Sequence, residues 1–415
     1  MSVNHQLMAE NAKKVAKTNL LDFEIGEKKD FINYDRVILK EILQQPGNSE
    51  YKNVINHIKK IADTNGVELG SIGGDGHVYY SLKELYFIFD ELLKMQPQPK
   101  YAKNIPVAWR LEKAFVIALS NLKGGTGKSS SLIHLAIALA LAGYTRPRIL
   151  ILDSDPQGQV YLSMDGRALD FNNVPSVGSI CTKKTPRPTD KSQREFLLES
   201  AVIKSHITNI DFIPGQPEDQ DLQKMLDNLY SEEKRGNKEA YKVLYKEIIE
   251  PLENDYDLIL IDLPPANNIA VANAVYAADG IIIPAAARPM DAHSTLSYIP
   301  IISDWLTEFE ESIEEYKPLG FMKLLPVADD SSTVARQQIR KFKQAMGADN
   351  VLKSIPFAKA YGMANSDNNK SLFDYPNQSQ FLGSGGEWKD STSAWKQTAD
   401  TIMSEIEDLV LFNEV

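Results

Sequence analysis

The chain has 415 residues, of which 43% are hydrophobic and 24% are charged, and this composition is ordinary for a globular protein of two or three domains. The single cysteine, Cys181, excludes a disulfide framework, an iron–sulfur cluster held by the chain's own thiols and a cysteine-based zinc site. The formal net charge is −11, but segment 1–113 carries 16 basic and 15 acidic residues, so the acidic excess lies in the rest of the chain. Any DNA contact in that acidic part has to be local.

The N-terminal segment shows no targeting signal. Residues 1–33 form a polar extension without a basic start and a following apolar run, so a secretory leader is not expected. The longest apolar run, Leu132–Ala142, is too short to cross a bilayer. These features predict a cytoplasmic protein that does not bind membranes.

Residues 34–96 have the pattern of a small DNA-binding domain. The order is helix, turn, helix, hairpin and helix, with helices from residues 35 and 54, strands at 67–71 and 77–81, and a last helix at 82–95. Ser81 and Glu84 predict the start of the last helix as a capping box. The order predicts a winged helix-turn-helix domain, and the prolines that follow predict a linker over 97–111.

Residues 112–415 alternate short apolar runs with longer helical patterns. The apolar runs are Phe115–Ser120, Ile149–Asp153, Ile210–Pro214, Leu258–Asp262, Ile281–Pro284 and Phe321–Pro326. Buried parallel strands have this appearance because crossover helices cover both faces of their sheet. The pattern predicts an α/β domain with a doubly wound, mostly parallel sheet.

A glycine-rich loop, 122–129, connects the first of these strands to a helix. Its sequence is Leu-Lys-Gly-Gly-Thr-Gly-Lys-Ser. Glycines let backbone N–H groups approach a phosphate, and the helix N-terminus adds partial positive charge. Lys128 would neutralise β- and γ-phosphate oxygens, and the Ser129 hydroxyl would coordinate Mg²⁺. The predicted ligands are ATP or ADP with Mg²⁺, and the predicted nucleotide-binding residues are Lys123, Gly124, Gly125, Thr126, Gly127, Lys128, Ser129 and Ser130.

The loop departs from the ordinary Walker A pattern at its first position. That pattern needs glycine at 122, where this chain has Leu122, and Lys123 stands beside it. The string KGGTGKS resembles the deviant Walker A motif of the ParA/MinD family of dimerising ATPases. The resemblance implies that Lys123 contacts the nucleotide of a partner subunit, so that a homodimer forms when ATP is bound. The alternative is a surface lysine without a specific contact.

A second motif follows the predicted strand that ends at Asp153. Asp153 and Asp155 lie in Asp-Ser-Asp-Pro-Gln-Gly, at a strand end where ligands bind in open α/β sheets. Taken alone, the two carboxylates could simply cap the next helix. The segment is similar to the family's second signature, which implies that Asp155 orients or activates the attacking water and that Asp153 lies near the magnesium.

A third motif, 257–265, is an apolar strand that ends in Asp262. This is a Walker B pattern, whose carboxylate would hold the water shell of the magnesium. Beyond it, Asn273, Asp291 and Thr295 follow the course of the family and are expected to shape the switch region and the dimer face. Together the motifs and the resemblance imply Lys123, Lys128 and Asp155 as catalytic residues and Ser129, Asp153 and Asp262 as magnesium ligands.

The resemblance is closest to the large ParA proteins of plasmids and secondary chromosomes, which carry a winged helix-turn-helix domain ahead of the ATPase. It extends over nearly the whole chain. Relatives place arginines for non-specific DNA near the counterpart of 355–361, where this chain has Phe357 and keeps one charge in Lys359. A basic helix nearby supplies further candidates for DNA contacts: Arg336, Arg340, Lys341 and Lys343. The alternative is that these four residues form a solvated helix face.

The leading functional hypothesis is a DNA partition ATPase. The resemblance implies that the ATP-bound dimer binds nucleoid DNA without sequence specificity and that a ParB-type centromere-binding protein stimulates slow hydrolysis. A MinD-like positioning ATPase is the alternative enzyme. Its relatives end in a basic helix that anionic lipid attracts, whereas the last helix here carries Asp400, Glu405, Glu407 and Asp408.

A hypothesis from another class is a transcriptional repressor with a nucleotide sensor. The second N-terminal helix could read the major groove of an operator through Tyr51, Lys52, His57, Lys59 and Lys60. The resemblance implies that both roles coexist and that the protein represses its own operon. The alternative is a dimerisation helix whose lysines are merely solvated.

Overall fold

The computed structural model describes residues 33–35, 56, 58–64, 66–67, 69–72, 78–96, 105–164, 174–233, 236–366, 369–375, 381 and 383–413. The predictions for Tyr51, Lys52 and His57 lie outside the described residues. Lys59 and Lys60 lie in a helical stretch, 58–64, where Lys59 is half-buried and Lys60 is exposed. The winged helix-turn-helix domain as a whole therefore stays a prediction.

Three short antiparallel strands precede the first long helix. Strands β1 (Asn33–Asp35) and β2 (Ser71–Ile72) both pair with β3 (Val78–Ser81). Helix α1 (Leu82–Lys94) begins with the predicted capping box, in which Ser81 and Glu84 accept each other's backbone N–H. The second predicted strand, 77–81, is confirmed, whereas β2 shares only Ser71 with the predicted strand 67–71 and β1 was not predicted.

A seven-stranded sheet organises the rest of the chain. Its strands are β4 (Phe115–Leu119), β5 (Ile149–Asp153), β6 (Ile203–Lys204), β7 (Ile210–Ile213), β8 (Leu258–Asp262), β9 (Gly280–Ala286) and β10 (Phe321–Val327). The spatial order is β10-β9-β4-β8-β5-β7-β6, and every neighbouring pair is parallel except β6 with β7. The predicted doubly wound, mostly parallel α/β fold is confirmed, and only the two-residue edge strand β6 was missed.

The helices lie in the connections between the strands. They are α2 (Lys128–Leu141), α3 (Val160–Met164), α4 (Val177–Cys181), α5 (Gln193–Phe196), α6 (Gln220–Ser231), α7 (Glu250–Leu252), α8 (Ile269–Ala277), α9 (Pro289–Ser312), α10 (Thr333–Met346), α11 (Ala360–Ser366) and α12 (Gly385–Asn413). Single π-helical turns at Leu197–Ala201 and Tyr245–Ile249 adjoin α5 and α7, respectively. Short 3₁₀ turns occupy Ala142–Tyr144, Pro217–Asp219, Lys238–Tyr241, Ala348–Asn350 and Leu372–Asp374.

The two faces of the sheet bury two separate apolar cores. In β4, Phe115, Ile117 and Leu119 belong to one core, while Val116 and Ala118 belong to the other. All five side chains are buried, because helices cover both faces and leave neither in water. This explains why the strands appear in the sequence as continuous apolar runs rather than as alternating patterns.

Helix α12 packs its apolar face against α2, the helix that follows the glycine-rich loop. Trp395, Ile402 and Ile406 of that face are fully or almost fully buried. The indole of Trp395 stacks on His134 of α2, with ring centroids 5.7 Å apart. Within the described part of the chain, no helix combines the length and the apolar character that crossing a membrane requires.

Arg146 joins the end of α2 to helix α1 of the N-terminal part. It follows the 3₁₀ turn after α2 and has a φ of 56°. Its guanidinium lies 4.7 Å from the ring centroid of Tyr86 and 5.6 Å from that of Phe89, and it pairs with Asp90 at 2.7 Å. The N-terminal part therefore packs directly on the larger domain. Near the start of that domain, the backbone N–H of Trp109 donates to the carbonyl of Thr145, the residue before Arg146.

Candidate active site

The glycine-rich loop between β4 and α2 has the backbone conformation needed to surround an anion. Gly125 and Gly127 have φ values of 74° and 79°, in the left-handed region that glycine adopts without strain. Gly127 is the N-cap of α2, so the first N–H groups of the helix are left for a ligand. The Thr126 hydroxyl donates to the Lys123 carbonyl at 3.2 Å and closes the loop.

Lys128 lies at the base of this loop and is only 6% exposed. Its Nζ donates to the carbonyl of Lys123 at 3.5 Å. Burial lowers the pKa of Lys128, and the charges of Asp262 and Asp155 oppose that shift. Since a buried cation is costly when its closest partner is a neutral carbonyl, an anionic ligand here gains more than it would at the surface.

Lys123 is held within its own chain. Its ammonium pairs with the carboxylate of Asp291 on the first turn of α9. Asn121 supports this arrangement, because its side chain accepts the N–H of Lys123 at 3.3 Å and donates to the Thr295 hydroxyl at 2.8 Å. The contact joins the loop to the segment expected to form the dimer face.

Asp153 and Asp155 have different environments at the end of β5. Asp153 is fully buried, and its two oxygens accept the backbone N–H groups of Asp155 and Val160, both at 3.2 Å. Burial raises the pKa of Asp153 well above its usual range, and the neighbouring charge of Asp262 adds to this. Asp155 is half-buried, and its carboxylate accepts the N–H of Gln157 at 2.9 Å.

Two glycines fix the loop that carries Asp155. A Cβ atom on Gly215, in the loop after β7, would lie 2.4 Å from the Asp155 carbonyl oxygen. A Cβ atom on Gly158 would lie 2.5 Å from the Gly215 carbonyl oxygen. Neither position has room for a side chain, so the two loops interlock and the backbone around Asp155 is held in place.

Asp262, at the end of β8, is a buried carboxylate without a normal hydrogen bond. It is 1% exposed, and neither of its oxygens has a hydrogen-bond partner. Burial raises the pKa of Asp262 to about 7, while the nearby hydroxyl of Ser129 lowers it. An unsatisfied carboxylate beside a hydroxyl is the donor set that Mg²⁺ prefers, so these residues fit the ion. Among the described residues, no group of three His, Cys, Asp or Glu is placed to hold a metal.

The raised pKa of Asp262 makes the stability of the ligand-free protein depend on pH. Between about pH 4 and pH 7 the folded state keeps a proton that the unfolded chain has released, so the free energy of unfolding falls as the pH rises. Asp262→Asn should remove this loss and stabilise the protein at pH 7.5 by roughly 1 to 4 kcal/mol, with little effect at pH 4. Urea unfolding of both proteins without Mg²⁺ or nucleotide measures the difference.

The exposed carboxylate Asp227 on α6 provides the matched control. Asp227→Asn is expected to leave the pH profile of the urea midpoint as in the unmodified protein. If D262N showed the same profile as D227N, Asp262 would not be the buried acid responsible.

A cavity of about 570 Å³ adjoins the glycine-rich loop. Gly125, Thr126 and Gly127 line one end. The other walls come from the ends of β9 and β10, from segment 355–363 and from α12, and they include Arg288, Val327, Ala328, Ile355, Phe357, Lys359, Tyr361, Met363 and Trp395. Sequence reasoning did not bring these segments together and did not single out Arg288, because no motif marks that residue.

The remaining predicted residues lie on several different elements. Arg336, Arg340, Lys341 and Lys343 are all exposed on α10, whereas Lys359 is exposed at the cavity. Gly124 and Ser130 are exposed and Ser129 is half-buried. Asn273 is buried in α8, where it accepts the N–H of Leu244 at 2.9 Å and so has a structural contact rather than one with the loop.

Comparison with known proteins identifies relatives of this domain. Residues 114–313 match a family model described as an AAA domain. The chain is 29% identical over 193 residues to the plasmid partition protein A of Escherichia coli, covering 46% of both chains. It is 30% identical over 171 residues to the chromosome partitioning protein ParA of Caulobacter vibrioides, covering 41% of this chain and 55% of that one. The chain thus spans less than two thirds of the length of these two relatives.

Solved structures share the fold. A partition protein superposes with a TM-score of 0.59 at 18% identity and covers 96% of this chain and 98% of its own. A McdA–ATP complex from Cyanothece superposes with a TM-score of 0.51 at 17% identity, over 68% of this chain and 97% of its own. A doubly wound sheet with a phosphate-binding loop after one strand defines a P-loop NTPase. Within that class, residues 114–313 match the AAA-domain family model, and the two curated relatives are a plasmid partition protein and a chromosome partitioning protein.

Proposed function

We propose that the chain is an ATP-hydrolysing DNA partition protein that dimerises on ATP and acts at the nucleoid with a ParB-type partner. The observation that carries the proposal is the anion-binding loop of Gly125 and Gly127, with buried Lys128 beside the unsatisfied carboxylate of Asp262. A nucleoside triphosphate with a divalent cation would satisfy both groups at once, because its phosphate oxygens would pair with the Lys128 ammonium and the Asp262 carboxylate would bind the cation.

The nucleoside would lie in the 570 Å³ cavity beside the loop. A pocket of this size and apolar lining suits a purine and its ribose. The McdA structure of the same fold is a complex with ATP. These observations support ATP and ADP as the ligands of this chain.

Ser129 and Asp262 would hold Mg²⁺, which when bound supplies positive charge to the β- and γ-phosphate oxygens. Asp153 would act beside them by holding the loop, since both of its oxygens already accept backbone N–H groups. Asp155 would orient the attacking water, because the N–H of Gln157 fixes its carboxylate at the edge of the site. Hydrolysis would then depend on positioning and charge stabilisation, which is consistent with a slow enzyme that a partner stimulates.

Lys123 would be released from Asp291 when two subunits meet. In the single chain its ammonium is satisfied by that carboxylate. The phosphates of a partner's nucleotide are a stronger anion, so exchange of Asp291 for them would make dimerisation depend on ATP.

Asp291→Asn should therefore favour the ATP-dependent dimer. The Lys123 side chain is 39% exposed, and partly exposed ion pairs contribute about 0.2–1 kcal/mol each. Because a dimer releases two such pairs, we expect it to form at a protein concentration about two- to thirtyfold lower. Sedimentation with a slowly hydrolysed ATP analogue measures this concentration.

A double-mutant cycle isolates the contact between the two side chains. Lys123→Ala should weaken the dimer, and K123A/D291N should behave as K123A does. An equal gain from D291N in both backgrounds would mean that Asp291 acts through some other group.

DNA binding is assigned to the exposed cations of α10, with Lys359 as a further candidate. The exposed side chains on α10 include Arg336, Arg340, Lys341 and Lys343. Operator binding and repression of its own operon are assigned to the N-terminal part, through Lys52, Lys59 and Lys60. A MinD-like role on membranes is not supported, because the apolar face of α12 is buried against α2.

Binding to random-sequence duplex DNA tests the proposal. Purified protein should bind with ATP and Mg²⁺ and not without them, and affinity should fall steeply with salt. Alanine at the four basic positions of α10 should weaken binding at least tenfold and leave ATP affinity unchanged. Lys359 is left intact in this variant, because it also lines the nucleotide cavity. ATP hydrolysis without any ATP-dependent DNA binding would contradict the partition role.

A further inference from the structure

Arg288 is a cation of the nucleotide cavity that no motif accounts for. It lies directly after β9, is the N-cap of α9 and is exposed. Its backbone is fixed, since its N–H donates to Ala286 at 2.7 Å and its carbonyl accepts from Ala292 at 2.8 Å. The exposed side chain therefore starts from a fixed point in the wall of the cavity.

The order of the strands places Arg288 at the nucleoside end of the site. The carboxylates Asp262 and Asp153 end β8 and β5, on one side of β4. Arg288 follows β9, on the other side of β4, next to β10. Because the γ-phosphate and its cation lie toward the carboxylates, a base would extend over β9 and β10.

The cavity beside Arg288 offers apolar surface to a flat ring. Phe357 lines it and is 52% exposed, and Met363 lines it and is 38% exposed. Exposed apolar side chains at the mouth of a cavity are covered when a ligand binds. A planar guanidinium stacks on aromatic faces, which an ammonium cannot do as well.

We propose that the guanidinium of Arg288 stacks on the purine ring of the bound nucleotide and sets affinity for the nucleoside rather than for the phosphates. The inference rests on the proposed ATP binding. It predicts that ATP and ADP depend equally on Arg288, because both carry the same base. It also predicts that lysine cannot replace arginine, because the planar group rather than the charge makes the contact.

Titration calorimetry with ATP and with ADP, on Arg288→Ala and Arg288→Lys, tests the inference. We expect both variants to bind both nucleotides about tenfold more weakly. The KM for ATP should rise by the same factor, while kcat at saturating ATP stays unchanged. Arg187→Ala, at an exposed arginine outside the cavity, is the matched control and should bind as the unmodified protein does.

Three results would overturn the stacking contact. Unchanged affinity of R288A would show that the side chain does not touch the nucleotide. Full affinity of R288K would show a phosphate contact, and a loss for ATP alone would show a role at the γ-phosphate. If the unmodified protein bound neither nucleotide, the proposed ATPase function itself would be refuted. Thermal melting of each variant checks separately that the variant is folded.

Discussion

Replacing Lys128 with alanine is expected to abolish nucleotide binding. The side chain is 6% exposed, and it is the cation at the base of the glycine-rich loop. A charge-assisted contact to phosphate contributes about 1.5–3 kcal/mol, and more where water is excluded, so affinity for ATP should fall by roughly 100-fold or more. Calorimetric titration with ATP and Mg²⁺ measures the loss, and ATP-dependent DNA binding should disappear with it.

Lys224→Ala, at an exposed lysine of α6, controls for the removal of a positive charge elsewhere. It should bind ATP as the unmodified protein does. Near-normal ATP affinity of K128A would refute the assignment of the loop.

Asp155→Ala should stop hydrolysis without preventing nucleotide binding. The phosphate contacts come from the loop before α2, and the close approach of Gly158 and Gly215 still holds the backbone around Asp155 when the carboxylate's bond to Gln157 is lost. Positioned acid–base groups contribute about 10²–10⁴-fold to rates, so turnover should fall by at least 100-fold. Phosphate release under single-turnover conditions measures the rate, and the protein should remain on DNA once ATP has loaded it.

Asp155→Asn separates charge from shape in this position. If the water is oriented by a hydrogen bond alone, D155N should retain part of the activity that D155A loses. Turnover of D155A at the unmodified rate would remove Asp155 from the reaction.

The sequence predicts those parts of the site that are local in the chain. Strands β5 and β8 have the predicted limits, and the residues that end them, Asp153 and Asp262, lie where the motif spacing places them. The reason is physical: a buried strand, a glycine loop and a helix start each leave a pattern within about ten residues. The capping box at Ser81 was predictable for the same reason.

Contacts between distant segments were not predictable from these patterns. Lys123 and Asp291 are 168 residues apart in the chain. The cavity wall combines the ends of β9 and β10 with segment 355–363 and with Trp395. Segment 355–361 resembles a DNA-contacting segment of relatives, and its Phe357 and Lys359 line the cavity beside the glycine-rich loop. Only the folded chain shows which strand ends are neighbours.

The contact of Arg146 with α1 bears on how the protein can be shortened. The prolines at 97, 99 and 106 suggest that a fragment starting near residue 105 would retain a complete ATPase. Such a fragment would lose the rings of Tyr86 and Phe89 and the carboxylate of Asp90, all of which contact Arg146. The Arg146 side chain, which is 14% exposed in the whole chain, would then be exposed to water after the end of α2, the helix that follows the glycine-rich loop. Truncation experiments that aim to separate operator binding from ATP hydrolysis should accordingly keep α1 with the ATPase and remove only what precedes residue 78.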